Sequence, residues 1–259
     1  MIKISNLHKS FGKKKVLTGV NLEIPTGETM CIIGKSGCGK SVLLKNIVGL
    51  LYPDQGTVMV DDHNIANLSY EELFSLRLKM GYVFQGSALF DSYNVYENII
   101  IGLYEHGERD NEMMTEEALR VLSAVQLLPP LEERGSLEFE REWSILKDKN
   151  PSDLSGGMKK RVGVARALVG NPEYIFYDEP TTGLDPVTSE QIDQLIAHLS
   201  QHLNVTSLVI THDMFSVFRI ANSIAMLNNG VVQFEGTAED LKVSKDKDVM
   251  DFLERYMNE

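Results

Sequence analysis

Residues 34–41 read Gly-Lys-Ser-Gly-Cys-Gly-Lys-Ser. They fit G-x-x-x-x-G-K-[ST], the pattern of a phosphate-binding loop. Gly34, Gly37 and Gly39 let the backbone turn tightly, so that its N–H groups, including those of Lys35, Ser36 and Cys38, can curl around an anion. Lys40 supplies a compact positive charge for β- and γ-phosphates, and Ser41 a hydroxyl for Mg²⁺. The flanks agree: residues 29–33 read as a buried strand, and residues 41–51 as a helix whose N-terminus points at the phosphates. A Gly-rich turn that binds nothing would not require the whole pattern.

Two further stretches could complete such a site. Asp178-Glu179 ends the apolar run 174–177, where open parallel sheets place their ligand crevice. One acid there can hold Mg²⁺, and the next can orient or deprotonate water. Leu154-Ser155-Gly156-Gly157-Met158 opens a helix that Gly170-Asn171-Pro172 would end. Ser155 can cap it, and Gly156 and Gly157 leave backbone N–H groups uncovered as a second anion site. One chain with two such termini suggests nucleotide shared between two copies. Three single residues stand at element ends: Gln85 after the strand 81–84, Asp185 before Pro186, and His212 after the strand 207–210. Alone, each reads equally well as a loop polar group, an N-cap and a structural histidine.

The elements that must position these residues are legible in outline. The first thirty residues read as short antiparallel strands with turns at residues 12–14 and 25–27. Phe11 lies there among polar residues. A strand is expected at 57–60, a capped helix from Ser69 toward Lys79, and a mostly helical stretch over 91–170, with 115–125 clearly amphipathic. Asp185-Pro186 starts a helix with Ile192, Leu195, Ile196, Leu199 and Leu203 on its apolar face, Asn229-Gly230 marks a hairpin, and the chain from Thr237 reads as helical and charged.

Composition bounds the partners. A net charge of −12 over 259 residues argues against nucleic acid or a bare anionic bilayer. The two cysteines, Cys31 and Cys38, do not form a disulfide framework and fit a reducing cytoplasm. The chain begins without the apolar core of a signal peptide, and no apolar run approaches the ~20 residues of a membrane span. Any membrane role is therefore expected through another subunit. Cys38 leaves two readings open: a thiolate favoured by Lys40 and the loop N–H groups, or a small inert hydrophobe facing the core.

Taken together, these motifs resemble the nucleotide-binding subunit of an ABC transporter over essentially the full length. Residues 34–41 match Walker A, residues 154–157 the ABC signature, and residues 174–179 Walker B with its catalytic glutamate. The resemblance implies an α/β P-loop ABC ATPase core with an N-terminal antiparallel β subdomain and an inserted helical subdomain. In one domain over 1–259, it assigns 1–90 and 171–236 to a RecA-like core with that β subdomain, 91–170 to the signature subdomain and 237–259 to a tail. It implies that Phe11 stacks on adenine, that Ser41, Gln85 and Asp178 hold Mg²⁺, that Glu179 polarises water, and that Gln85, Lys40 and His212 assist at the γ-phosphate. Ser155, Gly156, Gly157 and Asp185 would meet the nucleotide across a head-to-tail pair. No Asn-Lys-x-Asp guanine-reading motif is present, which agrees with ATP.

The signature continues Met158-Lys159-Lys160-Arg161, and the stretch after Gln85 reads Gly-Ser-Ala-Leu-Phe-Asp-Ser, then Asn-Val-Tyr-Glu-Asn from Asn94. Both are similar to the ATPases of the Mla and Mce phospholipid-transport systems, the MlaF type. That resemblance implies a peripheral place on the cytoplasmic face of an inner membrane, through an MlaE-type permease, with an MCE-domain lipid-binding protein and a small STAS-domain subunit. Subunits for lipoprotein release or amino-acid import, and soluble ABC ATPases, are the alternatives. Residues 128–153, with Gly135 and the single Trp143, depart from the family by their length.

Overall fold

The computed structural model describes residues 1–257. The chain runs through β1 (Ile2–Phe11), β2 (Lys14–Ile24), β3 (Thr29–Ile33), α1 (Lys40–Ile47), β4 (Gln55–Val60), β5 (His63–Asn64), α2 (Tyr70–Arg77) and β6 (Met80–Val83). A helical block follows, with α3 (Val95–Glu105), α4 (Asn111–Ala124), α5 (Leu137–Leu146) and α6 (Gly156–Leu168). The chain then returns through β7 (Tyr174–Asp178), α7 (Pro186–Leu203), β8 (Thr206–Ile210), α8 (Met214–Ile220), β9 (Ser223–Asn228), β10 (Val231–Gly236), α9 (Ala238–Val243) and α10 (Lys247–Met257).

Two sheets result. One is antiparallel in the order β2-β1-β4-β5. The other has the order β10-β9-β3-β8-β7-β6, parallel from β9 to β6 and closed at one edge by the antiparallel β9–β10 hairpin. Its strands are apolar on both faces because each face feeds a different core. Cys31, Ile33, Ile175, Tyr177, Val209, Ile224 and Met226 face the helical block, α7 and α8. Met30, Ile32, Tyr174, Phe176, Leu208, Ala225 and Leu227 face α1, α2 and the antiparallel sheet. The period-2 alternation of side chains on a strand makes this division.

Local signals set most boundaries. Ser69 caps α2 in a box with Glu72, and Asn94 caps α3 in a box with Glu97. The β9–β10 turn places Asn229 at φ 50° and Gly230 at φ 80°, the left-handed pair a two-residue hairpin needs. α1 stops at Ile47, short of the expected 51, because the chain takes positive φ (70°) at Gly49. β6 ends at Val83, one residue before Phe84. Residues 128–153 fold as a helical insert around α5. Phe139 and Leu146 are buried in the large core, and Trp143 meets Tyr96 of α3 edge-on at 5.9 Å.

Candidate nucleotide site

β3 lies between β9 and β8, so the loop after it emerges at the middle of the sheet edge. Gly34 holds φ 146°, and a Cβ there would come 2.2 Å from the Leu227 carbonyl oxygen of β9. Only glycine passes at that separation. Gly37, with φ 77°, has open space where a Cβ would project, which leaves the loop's outer edge clear for a ligand. α1 begins at Lys40, and its first N–H groups have no helical partners. Lys40 is 7% exposed, and its Nζ donates to the carbonyls of Gly34 at 2.7 Å and Lys35 at 3.3 Å. The ammonium is thereby held on the inner curve of the loop.

The end of β7 meets this loop. Ser41 Oγ donates to Asp178 Oδ1 at 3.3 Å, and Tyr82 OH donates to Asp178 Oδ2 at 3.2 Å. Burial, with the Asp178 charge beside it, pushes the Tyr82 phenol up, so it remains a donor. The Ser41–Asp178 pair is a hydroxyl and a carboxylate, hard oxygens that would suit Mg²⁺. Glu179 follows in the left-handed region at φ 53°. Its N–H donates to the Ile210 carbonyl at 2.9 Å, and its Oε2 accepts from Thr182 Oγ1 at 2.7 Å. His212 Nδ1 lies 2.6 Å from the same Oε2. An ionised carboxylate can only accept, so that nitrogen carries the proton.

One cleft of about 430 Å³ is lined by Phe11, Lys14, Ser36, Gly37, Lys40, Ser41, Gln85, Asp178 and Glu179. Phe11 closes β1 at its rim, 49% exposed, with Lys9 Nζ 5.8 Å from its ring centroid. Ser155, Gly156, Gly157 and Asp185 are not in this cleft. They line another, with Met158 and Thr188. There Ser155 Oγ accepts from Met158 N at 3.2 Å and caps α6. Asp185 caps α7, and the Thr188 hydroxyl and N–H groups on its carboxylate hold it below the usual range. A Cβ on Gly157 would sit 2.7 Å from Thr188 Cγ2, so this glycine lets α6 and α7 start side by side.

The sequence reading passed over three residues. Tyr82 reaches Asp178 only because β6 pairs with β7. Thr182 binds Glu179 across one turn. Lys160, in the basic run after the signature glycines, is buried at 5% exposure. Of the two readings open for Cys38, the structure favours the small hydrophobe over the thiolate. Its Sγ lies back toward Gly34, 2.9 Å from where a Cβ would stand, and packs with Val16 and Val42 on the core. Burial pushes the thiol up and outweighs Lys40.

The sequence profile of the ABC transporter family matches residues 17–182. The chain belongs to the ABC transporter family. This cassette is 36% identical to the intermembrane phospholipid transport system ATP-binding protein MlaF of Haemophilus influenzae, over 98% of this chain and 90% of that protein. It is 41% identical to the methionine import ATP-binding protein MetN of Carboxydothermus hydrogenoformans, over 93% of this chain and 67% of that one. It is 36% identical to the probable ribonucleotide transport ATP-binding protein mkl of Mycobacterium leprae, over 97% and 68%. Among solved structures, the dimeric post-hydrolysis cassette MJ0796 bound to ADP and Pi superposes with a TM-score of 0.78 at 33% identity, over 92% of this chain and 98% of that chain. The cassette is accordingly an ATPase of a transporter, with ATP as substrate and Mg²⁺ as cofactor.

Proposed function

We propose that the cassette works as a head-to-tail pair that hydrolyses ATP to drive phospholipid transport. The observation that carries the pairing is the separation of the two half-sites. The loop, Asp178 and Glu179 line one cleft, while Ser155, Gly156, Gly157 and Asp185 line another. An ATP held in the first cleft is completed by Ser155 and Gly157 of a second copy. The dimeric state of MJ0796 supports this reading.

In each site the N–H groups of residues 34–39 and Lys40 hold the phosphates, and Phe11 offers its ring to the adenine. Ser41, Gln85 and Asp178 hold Mg²⁺, which when bound neutralises charge on the β- and γ-phosphates. Glu179 orients the attacking water and takes its proton, and His212, bonded to the same carboxylate, fixes where that carboxylate points. The rate gain comes from positioning and charge stabilisation. Residues 91–170 act as the subdomain that presents the signature.

Cargo is read by other subunits. Phospholipid is favoured by the stretch after Gln85, by Met158, and by the extent of the MlaF match. This chain spans 90% of MlaF but 67% of MetN at similar identity. Among the described residues no helix is long and apolar enough to cross a membrane. The cassette then sits on the cytoplasmic face of an inner membrane through an MlaE-type permease, with an MCE-domain protein and a STAS-domain subunit. Purification from native membranes in mild detergent tests this. Phospholipid bound to a co-purifying permease and MCE-domain protein is expected. A permease that carries methionine instead moves the cargo to amino-acid import, the reading that the MetN identity favours.

A further inference from the structure

We propose that Lys160 is a positioning residue of ATP hydrolysis, tying the backbone of Gln85 to the backbone of Glu179 through one buried ammonium. The inference rests on the roles proposed above for those two residues. Lys160 lies on α6, one turn past the signature glycines. Its Nζ donates to the Gln85 carbonyl and, at 3.4 Å, to the Glu179 carbonyl. A lysine at 5% exposure is uncommon without a strong reason, because burial disfavours its charge. Burial does push this ammonium below the usual lysine range, while the Glu179 charge works against that.

The two carbonyls belong to segments that need holding. Glu179 occupies the left-handed region, which a β-carbon-bearing residue keeps only when its surroundings over-determine it. Its N–H is fixed by Ile210, and its carbonyl by Thr182 N–H and Lys160. Beyond Gln85, Ser87 and Ala88 also take positive φ. Arg166, further along α6, donates to both of their carbonyls, at 2.9 and 2.8 Å. The same helix thus holds the carbonyls of Gln85, Ser87 and Ala88 in the loop after β6, and Lys160 is the contact that extends this hold to the turn bearing Glu179. Without the ammonium, two carbonyls lose a charged donor and the Glu179 turn loses one of its restraints. A displacement of about 1 Å at such a group costs on the order of a hundred-fold in rate.

The test compares Lys160→Met, which keeps the aliphatic stem, with Lys160→Arg, which keeps charged donors. Steady-state ATPase and equilibrium Mg-ATP binding are measured on the purified transporter complex, with Glu179→Gln alongside. Lys160→Met is expected to lower kcat at least about ten-fold, with nucleotide affinity within about three-fold of the wild type. Lys160→Arg is expected to recover at least about a third of wild-type kcat. Wild-type kcat in folded Lys160→Met, or a loss of ATP affinity parallel to the loss of rate, overturns the proposal. Should Lys160→Met not fold, the arginine variant decides, and a kcat below about a tenth of wild type counts against the proposal. If Glu179→Gln retains turnover, the role of Glu179 is wrong. If it abolishes turnover while Lys160→Met does not, only Lys160 is misassigned.

Discussion

At the residue scale, Glu179 is the group proposed to activate water. Its Oε2 is fixed by Thr182 Oγ1 and His212 Nδ1, so the carboxylate is already oriented before a water arrives. Glu179→Gln keeps the shape and removes the basic oxygen. Turnover is expected to fall about a hundred-fold or more, with Mg-ATP affinity nearly unchanged. Single-turnover and steady-state assays read this, and near wild-type turnover would remove Glu179 from the mechanism. Cys38 gives a second residue-scale outcome. Its thiol packs under the loop and is raised by burial, so maleimide labelling is expected to be slow with and without Mg-ATP. Rapid labelling that Mg-ATP suppresses, seen by peptide mapping, would restore the reactive-thiolate reading.

At the scale of elements, α7 and α8 are joined by a buried carboxylate. Asp193 of α7 is 1% exposed, and its Oδ2 accepts from Ser216 Oγ at 2.8 Å and Arg219 Nη1 at 2.9 Å, both on α8. Its Oδ1 has no partner among the described residues. Burial pushes this carboxyl from 3.8 up to about 6, so the native chain holds the proton more tightly than the unfolded chain does. The resulting stabilisation is present in full below the unfolded value and is lost as pH rises through about 6. Asp193→Asn removes that dependence. Wild-type stability minus variant stability, from urea unfolding, is expected to fall by on the order of 2 kcal/mol between pH about 4 and about 7. A difference that is flat in pH would show that Asp193 does not titrate this way. The start of α7 depends on Asp185, which receives two N–H groups and the Thr188 hydroxyl. Asp185→Ala is expected to cost about 1 kcal/mol by chemical denaturation, and an unchanged midpoint would mean that the cap contributes nothing.

For the whole molecule, the proposed head-to-tail pair would bring the two clefts of different copies together. The signature turn of α6 and the start of α7 form one surface patch, and the phosphate-loop cleft another. Head-to-tail pairing brings unlike patches together twice about a two-fold axis, which closes the assembly at two copies. With Mg-ATP, Glu179→Gln is expected to double in mass by light scattering, because nucleotide stays trapped between the copies. Adding Ser155→Arg places a bulky cation at the patch and is expected to return the monomer while each copy still binds ATP. A dimer that persists in that double variant points to a different interface.

What the sequence determined by itself was the set of local motifs. The phosphate loop, the caps at Ser69, Ser155 and Asp185, and the Asn229-Gly230 turn each depend on a few adjacent residues. Their backbone requirements, positive φ or an unpaired N–H, are written in residue type. The apolar runs at 29–33, 174–177 and 207–210 announced strands, and the run 174–177 one covered on both faces. Tertiary structure alone decided which distant groups meet. Asp178 receives Tyr82 because β6 lies at the sheet edge beside β7, an order that no local pattern carries. The Cys38 thiol packs against the core that β1, β2, β4 and α1 build, with the strands well removed from it along the chain. Nothing local in the basic run 159–161 marks Lys160 as buried, yet its Nζ lies inward on the carbonyls of Gln85 and Glu179. Side-chain direction depends on what packs against an element, and those neighbours lie tens of residues away along the chain.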